Sequence, residues 1–429
     1  MRVSIASAAR AGIAFAIFAG AAPSALAQTV TPTASTPTNS ARSQSSLLDV
    51  AGGPKQLLMD AGVDLNVSLT QFYQGLVGGQ GSKTWQYGGK LDVFANFSGE
   101  KLGLWQGFSI NVHSESVYGN DVNTQGDGSI FPLNTALALP ASDGHDNEVS
   151  VFVRQTFGTA GSLSVGKFNM LDVASRTPLI GGGGIDTFMN LSLAAPASGV
   201  TPPYIFGGMA TLRTEPATFT LMVYDPRDAQ DWNVIQHPFQ EGATTSLSAT
   251  VPIQIKGLTG FQSLRAVYST QDGLDLTDIP QIALPPESQA LQTKDSYWYL
   301  AYSFQQYLIQ SPSNPSQGWG VFGQIAVSDG NPNPFAWSGY VGLGGTSLLP
   351  GRPDDRFGVA YFRNGLSPHL INGLNTIGID LGDEQGFEAF YNYAATRWLN
   401  LTVDCQVVKP SLSNETAVFL GGRAQLKLF

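Results

Sequence analysis

The sequence contains one cysteine, Cys405, among 429 residues, so an intramolecular disulfide cannot form. A secreted protein held together by disulfides is therefore excluded. Charged residues are also scarce, at 13 % of the chain, against roughly 25 % in an ordinary soluble domain. The 32 acidic residues outnumber the 22 basic ones, and the formal net charge of −10 argues against nucleic acid as a partner.

Beyond the amino-terminal region, no segment offers the roughly 20 apolar residues that a membrane helix needs. Residues 1–27 predict a secretory signal peptide, because a basic start is followed by a short apolar run and a small-residue cleavage site at 25–27. Residues 28–46 are rich in Thr, Pro and Ser and predict a flexible leader. Residues 47–62 predict a short periplasmic segment with a possible helix.

What the chain has instead of long apolar runs is alternation with a period of two. In 399–407 the odd positions are apolar and the even positions are polar, and 63–70 shows the same pattern. Such a segment is a strand with one apolar face and one polar face. Sixteen of these segments occur, at 63–74, 85–98, 106–118, 148–158, 161–169, 201–214, 217–225, 242–253, 258–270, 293–306, 317–328, 334–346, 355–364, 384–396, 399–409 and 414–429.

An exported chain with an even number of such strands and little charge predicts an all-β fold, a transmembrane antiparallel β-barrel over residues 63–429. The alternation is weaker at 201–214 and 334–346, so counts of fourteen or eighteen strands stay open beside sixteen. Short and long connections alternate, as expected when one rim has turns and the other has loops. A sixteen-stranded barrel encloses an aqueous channel, so we expect the long loops 119–147 and 170–200 to fold inward and narrow it.

The last strand ends on an aromatic residue, Phe429. From this we predict that the outer-membrane barrel assembly machinery recognises the carboxy-terminal strand, and that the lipid bilayer surrounds the barrel. Strict alternation leaves a conflict, because Phe429 shares a face with Lys427 while Leu428 lies on the other face. Phe429 and Leu428 cannot both face lipid in a regular strand.

Several blocks of the sequence resemble the carbohydrate-selective porins of the OprB family: GKFNMLDV at 166–173, DGNPNP at 329–334 and PGRPDDRFGVAY at 350–361, with further similarity at 101–110 and 397–406. The resemblance covers most of 63–429 and departs at 51–63. It implies a sixteen-stranded barrel in the outer membrane of a Gram-negative bacterium. It further implies passive, facilitated diffusion of monosaccharides and small sugars through a pore constricted by loops.

A sugar site needs hydrogen-bond donors and acceptors together with flat apolar faces. Five charged residues are the candidates for lining the pore: Arg154, Glu115, Arg265, Lys167 and Asp186. Arg154 lies on a strand whose other face is all valine, and an arginine in lipid near the bilayer midplane costs about 2–4 kcal/mol, which favours the lumen. Pairing with a loop carboxylate is the alternative for Arg154. Lys167 needs a bulge to turn inward and otherwise lies at the membrane interface, and Asp186 has simple turn chemistry as its alternative.

Metal, cofactor and catalytic sites are not predicted. The four histidines lie in separate segments without metal-ligand spacing, and the glycine run 181–184 lacks the Lys-Ser/Thr of a phosphate loop. Only His113 lies inside a clear strand, and no nucleophile motif accompanies it, so the chain is not expected to be an enzyme. Two alternatives stay open: a porin for small acidic or aromatic solutes, and an outer-membrane barrel enzyme.

Overall fold

The computed structural model describes residues 45–50, 52–141, 144, 146–279, 292–347, 349 and 351–429. The predicted signal peptide and residues 28–44 of the predicted leader lie outside this part of the chain. Both remain predictions.

Sixteen antiparallel strands form one closed barrel in which each strand pairs with its sequence neighbours and β16 pairs with β1. Every predicted strand overlaps one observed strand, including the two with weaker alternation, so the count of sixteen is confirmed. The strands are β1 Val63–Gly78, β2 Trp85–Ser98, β3 Phe108–Gly119, β4 Asn147–Phe157, β5 Gly161–Asn169, β6 Tyr204–Arg213, β7 Thr218–Tyr224, β8 Thr244–Ile255, β9 Leu258–Leu274, β10 Thr293–Gln310, β11 Gly318–Ser328, β12 Phe335–Thr346, β13 Arg356–Leu366, β14 Glu384–Ala394, β15 Leu399–Lys409 and β16 Ala417–Lys427.

The period-two pattern sorts side chains into an outer apolar face and an inner polar face. In β4, Val149, Val151 and Val153 are exposed on the outside, whereas Glu148 and Ser150 are buried on the inside. Because lipid cannot hydrogen-bond to backbone groups, closure of the ring is what allows such strands to span a bilayer.

The two rims of the barrel differ in the length of their connections. Turns at 158–160, 214–217 and 256–257 lie on one rim, and the loops 120–146 and 170–203 lie on the other. In barrels of this type the short turns are periplasmic and the long loops extracellular. The amino-terminal end of β1 and the carboxy-terminal end of β16 therefore lie on the periplasmic side.

In the part of the chain that the structure describes, seven short helices accompany the strands: α1 Pro54–Asp60, α2 Thr135–Ala138, α3 Met170–Ala174, α4 Leu191–Ala194, α5 Trp232–Gln236, a 3-10 turn Leu276–Asp278 and α6 Pro368–Thr376. None of these described helices is long and apolar enough to cross a membrane. Helix α1 begins at a proline, which suits the first helical turn because that position has no intrahelical N–H bond to lose. Helices α2, α3 and α4 belong to the two longest loops, and their side chains are largely buried.

The end of the last strand departs from regular pairing. The backbone N–H groups of Leu428 and Phe429 both donate to the carbonyl of Val67, over 2.8 and 3.2 Å. Strand β16 itself ends at Lys427. The conflict over the faces of Leu428 and Phe429 disappears, because strict alternation does not extend past Lys427.

Candidate functional site

The segment 170–203 between β5 and β6, which we call the constriction loop, folds into the barrel and meets its wall on many sides. Its Asp172 contacts β3, and the N–H of Leu179 donates to Gln305 Oε1 on β10 over 3.0 Å. A loop that reaches both β3 and β10 crosses the lumen, because these strands lie on nearly opposite sides of the ring. The predicted inward fold of this loop is confirmed.

Where the constriction loop leaves β5, a buried cluster of charges ties it to β2 and β3. Lys90 Nζ lies 2.6 Å from Glu115 Oε1 and 3.1 Å from Asp92 Oδ1. His113 bridges outward from this pair: its Nε2 is 3.0 Å from Asp92 Oδ1, and its Nδ1 is 2.8 Å from Asp172 Oδ2 on α3. With a carboxylate at each ring nitrogen, the geometry suits an imidazolium that donates twice.

Three members of this cluster have the donor types of a metal site. Ligand atoms of Asp92, His113 and Glu115 lie within 4.8 Å of one another. The ammonium of Lys90, however, already contacts both carboxylates. A lysine ammonium takes the place of a cation there, so we interpret the group as an ion-pair network that holds the loop.

A second set of contacts anchors the middle of the constriction loop to β14 and β16. The carboxylate of Glu388 accepts the backbone N–H groups of Met189, over 2.5 Å, and Asn190, over 3.0 Å. The guanidinium of Arg423 donates to the carbonyl oxygens of Gly184, over 2.8 Å, and Thr187, over 3.1 Å. These bonds provide hydrogen-bond partners for backbone groups of the loop, which would otherwise be buried without a hydrogen bond.

An apolar contact completes this anchor. The ring of Phe188 packs edge-on against Phe390 and Phe322, with ring centroids 4.9 and 5.9 Å apart. Gly358 on β13 makes the room, since a Cβ at that position would lie 2.6 Å from the Phe188 ring. A side chain at residue 358 would therefore displace the ring of Phe188 or of Phe390.

The described residues of the loop 120–146, which we call the support loop, lie inside the barrel against the constriction loop, as predicted. The N–H of Thr135 donates to Met189 O, and the N–H of Leu191 donates to Pro132 O, both over 2.9 Å. Within the support loop, burial raises the pKa of Asp127 above its ordinary value, although Ser129 donates to its carboxylate. The two loops form one packed body.

The extracellular loops close over the far end of this body. Asn333, in the turn between β11 and β12, donates through Nδ2 to Ser198 O over 2.9 Å. Gly199 has a φ of 70°, and a Cβ there would overlap with the Asn333 amide. Nearby, a hydrogen bond from Asn331, with others from Thr277, lowers the pKa of Asp275 to about 2.

Two of the five predicted pore-lining residues differ sharply in accessibility. Arg154 faces the lumen in a half-buried position, donates to Ser164 Oγ over 3.1 Å and lies over the Phe152 ring. No ion pair to Arg154 is present among the described residues. Glu115 is only 1 % exposed, and Lys90 and the Tyr204 hydroxyl occupy its carboxylate beneath the constriction loop, so its contact with solutes stays a prediction.

The other three lie at different depths. Arg265 is 6 % exposed and donates to Ser246 on the wall and to Thr201 of the constriction loop. Its guanidinium therefore positions the loop, and a contact of Arg265 with solutes stays a prediction. Lys167 turns inward after Gly166, whose φ is 144°, and forms a buried ion pair with Glu148 over 2.5 Å. Asp186 lines a cavity of about 580 Å³ at the periplasmic mouth, as does Arg356.

Two aromatic residues on the lumen face were not among the predicted site residues. Phe94 on β2 is 38 % exposed and stacks on His113, with ring centroids 3.8 Å apart. Phe152 on β4 stacks on Phe168. The sequence could have revealed them, because each interrupts the alternation of polar and apolar residues by placing an aromatic ring on the polar face. On β2 the polar face reads Asp92, Phe94 and Asn96.

Comparison with known proteins agrees with this geometry. The family model described as carbohydrate-selective porin, OprB family, matches residues 82–428 of this chain. The chain belongs to the OprB family. This OprB-family porin is thus an outer-membrane channel for sugars, and the resemblance of its sequence blocks is confirmed. No curated protein sequence matches it.

Solved structures with the same fold include OprB of Pseudomonas putida at high pH, with a TM-score of 0.75 and 18 % identity over 88 % of this chain and 97 % of that chain. The low-pH structure of the same protein gives a TM-score of 0.51 and 16 % identity over 90 % and 99 %. The outer-membrane channel DcaP of Acinetobacter baumannii gives 0.50 and 9 % identity over 85 % and 97 %. At these identities the likeness of this OprB-family porin to them shows the fold alone.

Proposed function

We propose that small sugars cross the constriction along the wall formed by β2 to β5, in contact with the ring of Phe94 and the guanidinium of Arg154. The observation that carries this proposal is the exposure of Phe94, an apolar ring left 38 % accessible on the polar inner face of the barrel. A flat apolar ring exposed to the aqueous lumen offers a surface on which the C–H face of a sugar can pack.

The residues around Phe94 supply the polar half of a sugar site. Asn96 follows Phe94 on the same face of β2 and is exposed. Asn111, on β3, is the register partner of Asn96. Farther along the wall, Phe152 and Arg154 place a second ring beside a cation, and Arg176 of the constriction loop lines the same crevice. Rings for C–H faces and amides or cations for hydroxyls, each binding weakly, meet the needs of a pore that must release its solute.

Replacing Phe94 with alanine should weaken the interruption of ion current by glucose. An aromatic contact contributes about 0.5–1.5 kcal/mol, so the glucose concentration for half-maximal block should rise by about two- to tenfold. The measurement is single-channel recording in planar bilayers with increasing glucose. Phe97→Ala is the matched control, because Phe97 lies on the same strand with its side chain on the outer face. An unchanged half-maximal concentration in Phe94→Ala would remove Phe94 from the route.

The same recordings with Arg154→Ala separate sugars from acidic solutes. For a sugar route, glucose block should weaken and an organic acid should compete poorly in the wild-type protein. Block by the acid alone, lost in Arg154→Ala, would instead assign the pore to acidic solutes.

We infer that the porin has no catalytic activity. The surroundings of His113 support this inference, since the two ring nitrogens face Asp92 and Asp172 and the ring stacks on Phe94. A histidine bound in this way has no free nitrogen with which to activate a nucleophile.

We further propose that the barrel assembly machinery recognises the strand that ends in Phe429. Substituting Phe429 with serine should reduce the amount of heat-modifiable barrel recovered from the outer membrane, while refolding of the purified chain in detergent should be little changed. Leu426→Ser is the control for lost apolar surface, because Leu426 lies three residues earlier, on the outer face of β16. Equal losses in both variants, or no loss in Phe429→Ser, would contradict specific recognition.

A further inference from the structure

Three residues form a polar row on the outer wall at the extracellular end of β13 to β15. Arg363 pairs across the sheet with Gln385, and Gln385 pairs with Lys409. Adjacent strands are about 4.8 Å apart, so the two cations flank the amide within a row about 10 Å wide. All three share their face with outward apolar residues such as Val359 and Phe387. We call this row the headgroup row.

The headgroup row opens into a polar cavity of about 640 Å³ between the loops 367–383 and 410–416. Lys409 is exposed and, within the described residues, has no ion pair. Arg363 lies over the Trp337 ring at 5.4 Å and pairs with Asp383 over 2.8 Å. Arg363 is therefore oriented by Trp337 and Asp383, whereas the ammonium of Lys409 is available to bind an anion.

Aromatic residues place the headgroup row at the level of lipid headgroups. Tyr361 and Phe387 pair with each other on the outer face directly on its membrane side, and the Tyr361 hydroxyl donates to Gln385 Oε1 over 2.8 Å. Trp337 flanks the row on the other side, opposite Gly365. Girdles of aromatic side chains mark the interface between the apolar band and the headgroups in barrels of this kind. The loops on this rim are the long ones, so the leaflet is the outer one.

Below the girdle, the same strands carry an apolar groove of about 510 Å³. Val359, Ala389 and Cys405 form one register row across β13, β14 and β15. The small side chains of Ala389 and Cys405 lie between larger neighbours, which include Phe357, Tyr391 and Leu420. Val359 is four residues from Arg363, about 13 Å along the strand, a distance that a lipid acyl chain easily covers.

We propose that this wall binds a phosphate-bearing lipid of the outer leaflet, with the phosphate at the headgroup row and an acyl chain in the groove. The cavity and the groove are separate observations, and a single lipid explains why they lie one above the other. Arginine and lysine are the side chains that bind phosphate through charge-assisted hydrogen bonds. A second copy of this wall related by a two-fold axis would instead bring like charges together.

Carboxylates in the same cavity set a condition on this binding. Asp380, Asp383 and Glu415 line it together with the two cations. Their charge opposes a bare phosphate, whereas a divalent cation held between carboxylate and phosphate removes the repulsion. Binding of the lipid is therefore strengthened by Mg²⁺.

The test uses the purified, delipidated barrel in detergent, titrated with lipid A in the presence of Mg²⁺ and followed by native mass spectrometry. We expect a saturable one-to-one complex whose affinity falls at least about tenfold when Arg363→Gln and Lys409→Gln are combined, the loss of a charge-assisted hydrogen bond. Ala389→Phe, which fills the groove, should weaken lipid A but leave heat-modifiable migration unchanged. EDTA should weaken the wild-type complex.

Lys294→Gln is the matched control, since Lys294 is an exposed lysine at the extracellular end of β10, away from this wall. It should leave the affinity for lipid A unaltered. Competition by inorganic phosphate distinguishes the sources of the phosphate: millimolar phosphate that displaces lipid A completely would show a site for the free ion and overturn the proposal. Equal affinities of the wild type and the double variant would overturn it as well. So would a dimer of the barrel that Ala389→Phe dissociates, because the groove would then be an interface between copies.

Discussion

Replacing Arg423 with alanine should release the middle of the constriction loop and raise the single-channel conductance. Arg423 is 2 % exposed, and its guanidinium donates to two loop carbonyls, those of Gly184 and Thr187. Each buried carbonyl group left without its donor costs about 1–3 kcal/mol, so the two together correspond to roughly two to four orders of magnitude in the ratio of docked to undocked loop. Recording in planar bilayers should show larger and noisier openings, with disaccharides entering more readily.

The control for lost positive charge is Arg397→Ala. Arg397 is exposed in the turn 395–398 at the same periplasmic mouth. It should change ion selectivity slightly and leave the size of the openings as it is. If Arg423→Ala conducts like the wild type, the loop is held by its remaining contacts, and Arg423 is not an anchor.

Replacing Lys90 with alanine should destabilise the barrel more than any other single change in the cluster on β2 and β3. Its ammonium is 2.6 Å from Glu115 and 3.1 Å from Asp92, and all three side chains are buried. Two carboxylates would be left close together without a cation, at a cost of about 3–5 kcal/mol. The midpoint of thermal unfolding, followed as the loss of the heat-modifiable form in detergent, should fall clearly.

A double variant tests whether the cost comes from charge. Lys90→Met combined with Glu115→Gln removes one charge of each sign at nearly constant volume, so much of the stability lost in Lys90→Ala should return. A double variant as unstable as Lys90→Ala would show that packing of the lysine stem, not its charge, supports the wall.

The barrel could be predicted from the sequence because strand faces repeat every two residues and lipid imposes apolar character on one of them. Even β12, interrupted by four glycines at 339, 342, 344 and 345, kept Trp337, Val341 and Leu343 on one face. The end of β16 was harder, because the pairing of Leu428 and Phe429 with a single carbonyl leaves no trace in the pattern.

The lining of the pore could be predicted only in part. Parity along a strand tells which side chains point inward, and Glu115, Arg154 and Arg265 all do. It does not tell which of them a loop will cover, because that depends on contacts between residues far apart in the chain. Glu115 and Arg265 are covered and Arg154 is not.

The sequence blocks that carry the family resemblance coincide with contacts of the constriction loop or of the turns. The block 166–173 supplies Lys167 and Asp172, and the block 329–334 supplies Asn333. In the block 350–361, Asp355 bonds to Arg352 and to the N–H of Ala394, which joins two periplasmic turns. These blocks thus supply contacts of the constriction loop and of the turns, whereas the solute contacts proposed above lie on other residues of the wall.

Because the constriction loop is bonded to β3 at Asp172 and to β10 at Leu179, it acts as a cross-brace that resists flattening of the ring. The same contacts of the loop therefore set both the width of the passage and the stiffness of the barrel. A chain of this kind cannot be widened for larger solutes by loosening the brace without also softening the wall against the lateral pressure of the bilayer. Substitutions that enlarge the passage and leave this brace in place must instead shorten lumen side chains whose contacts are with the wall, such as Phe94 and Arg154.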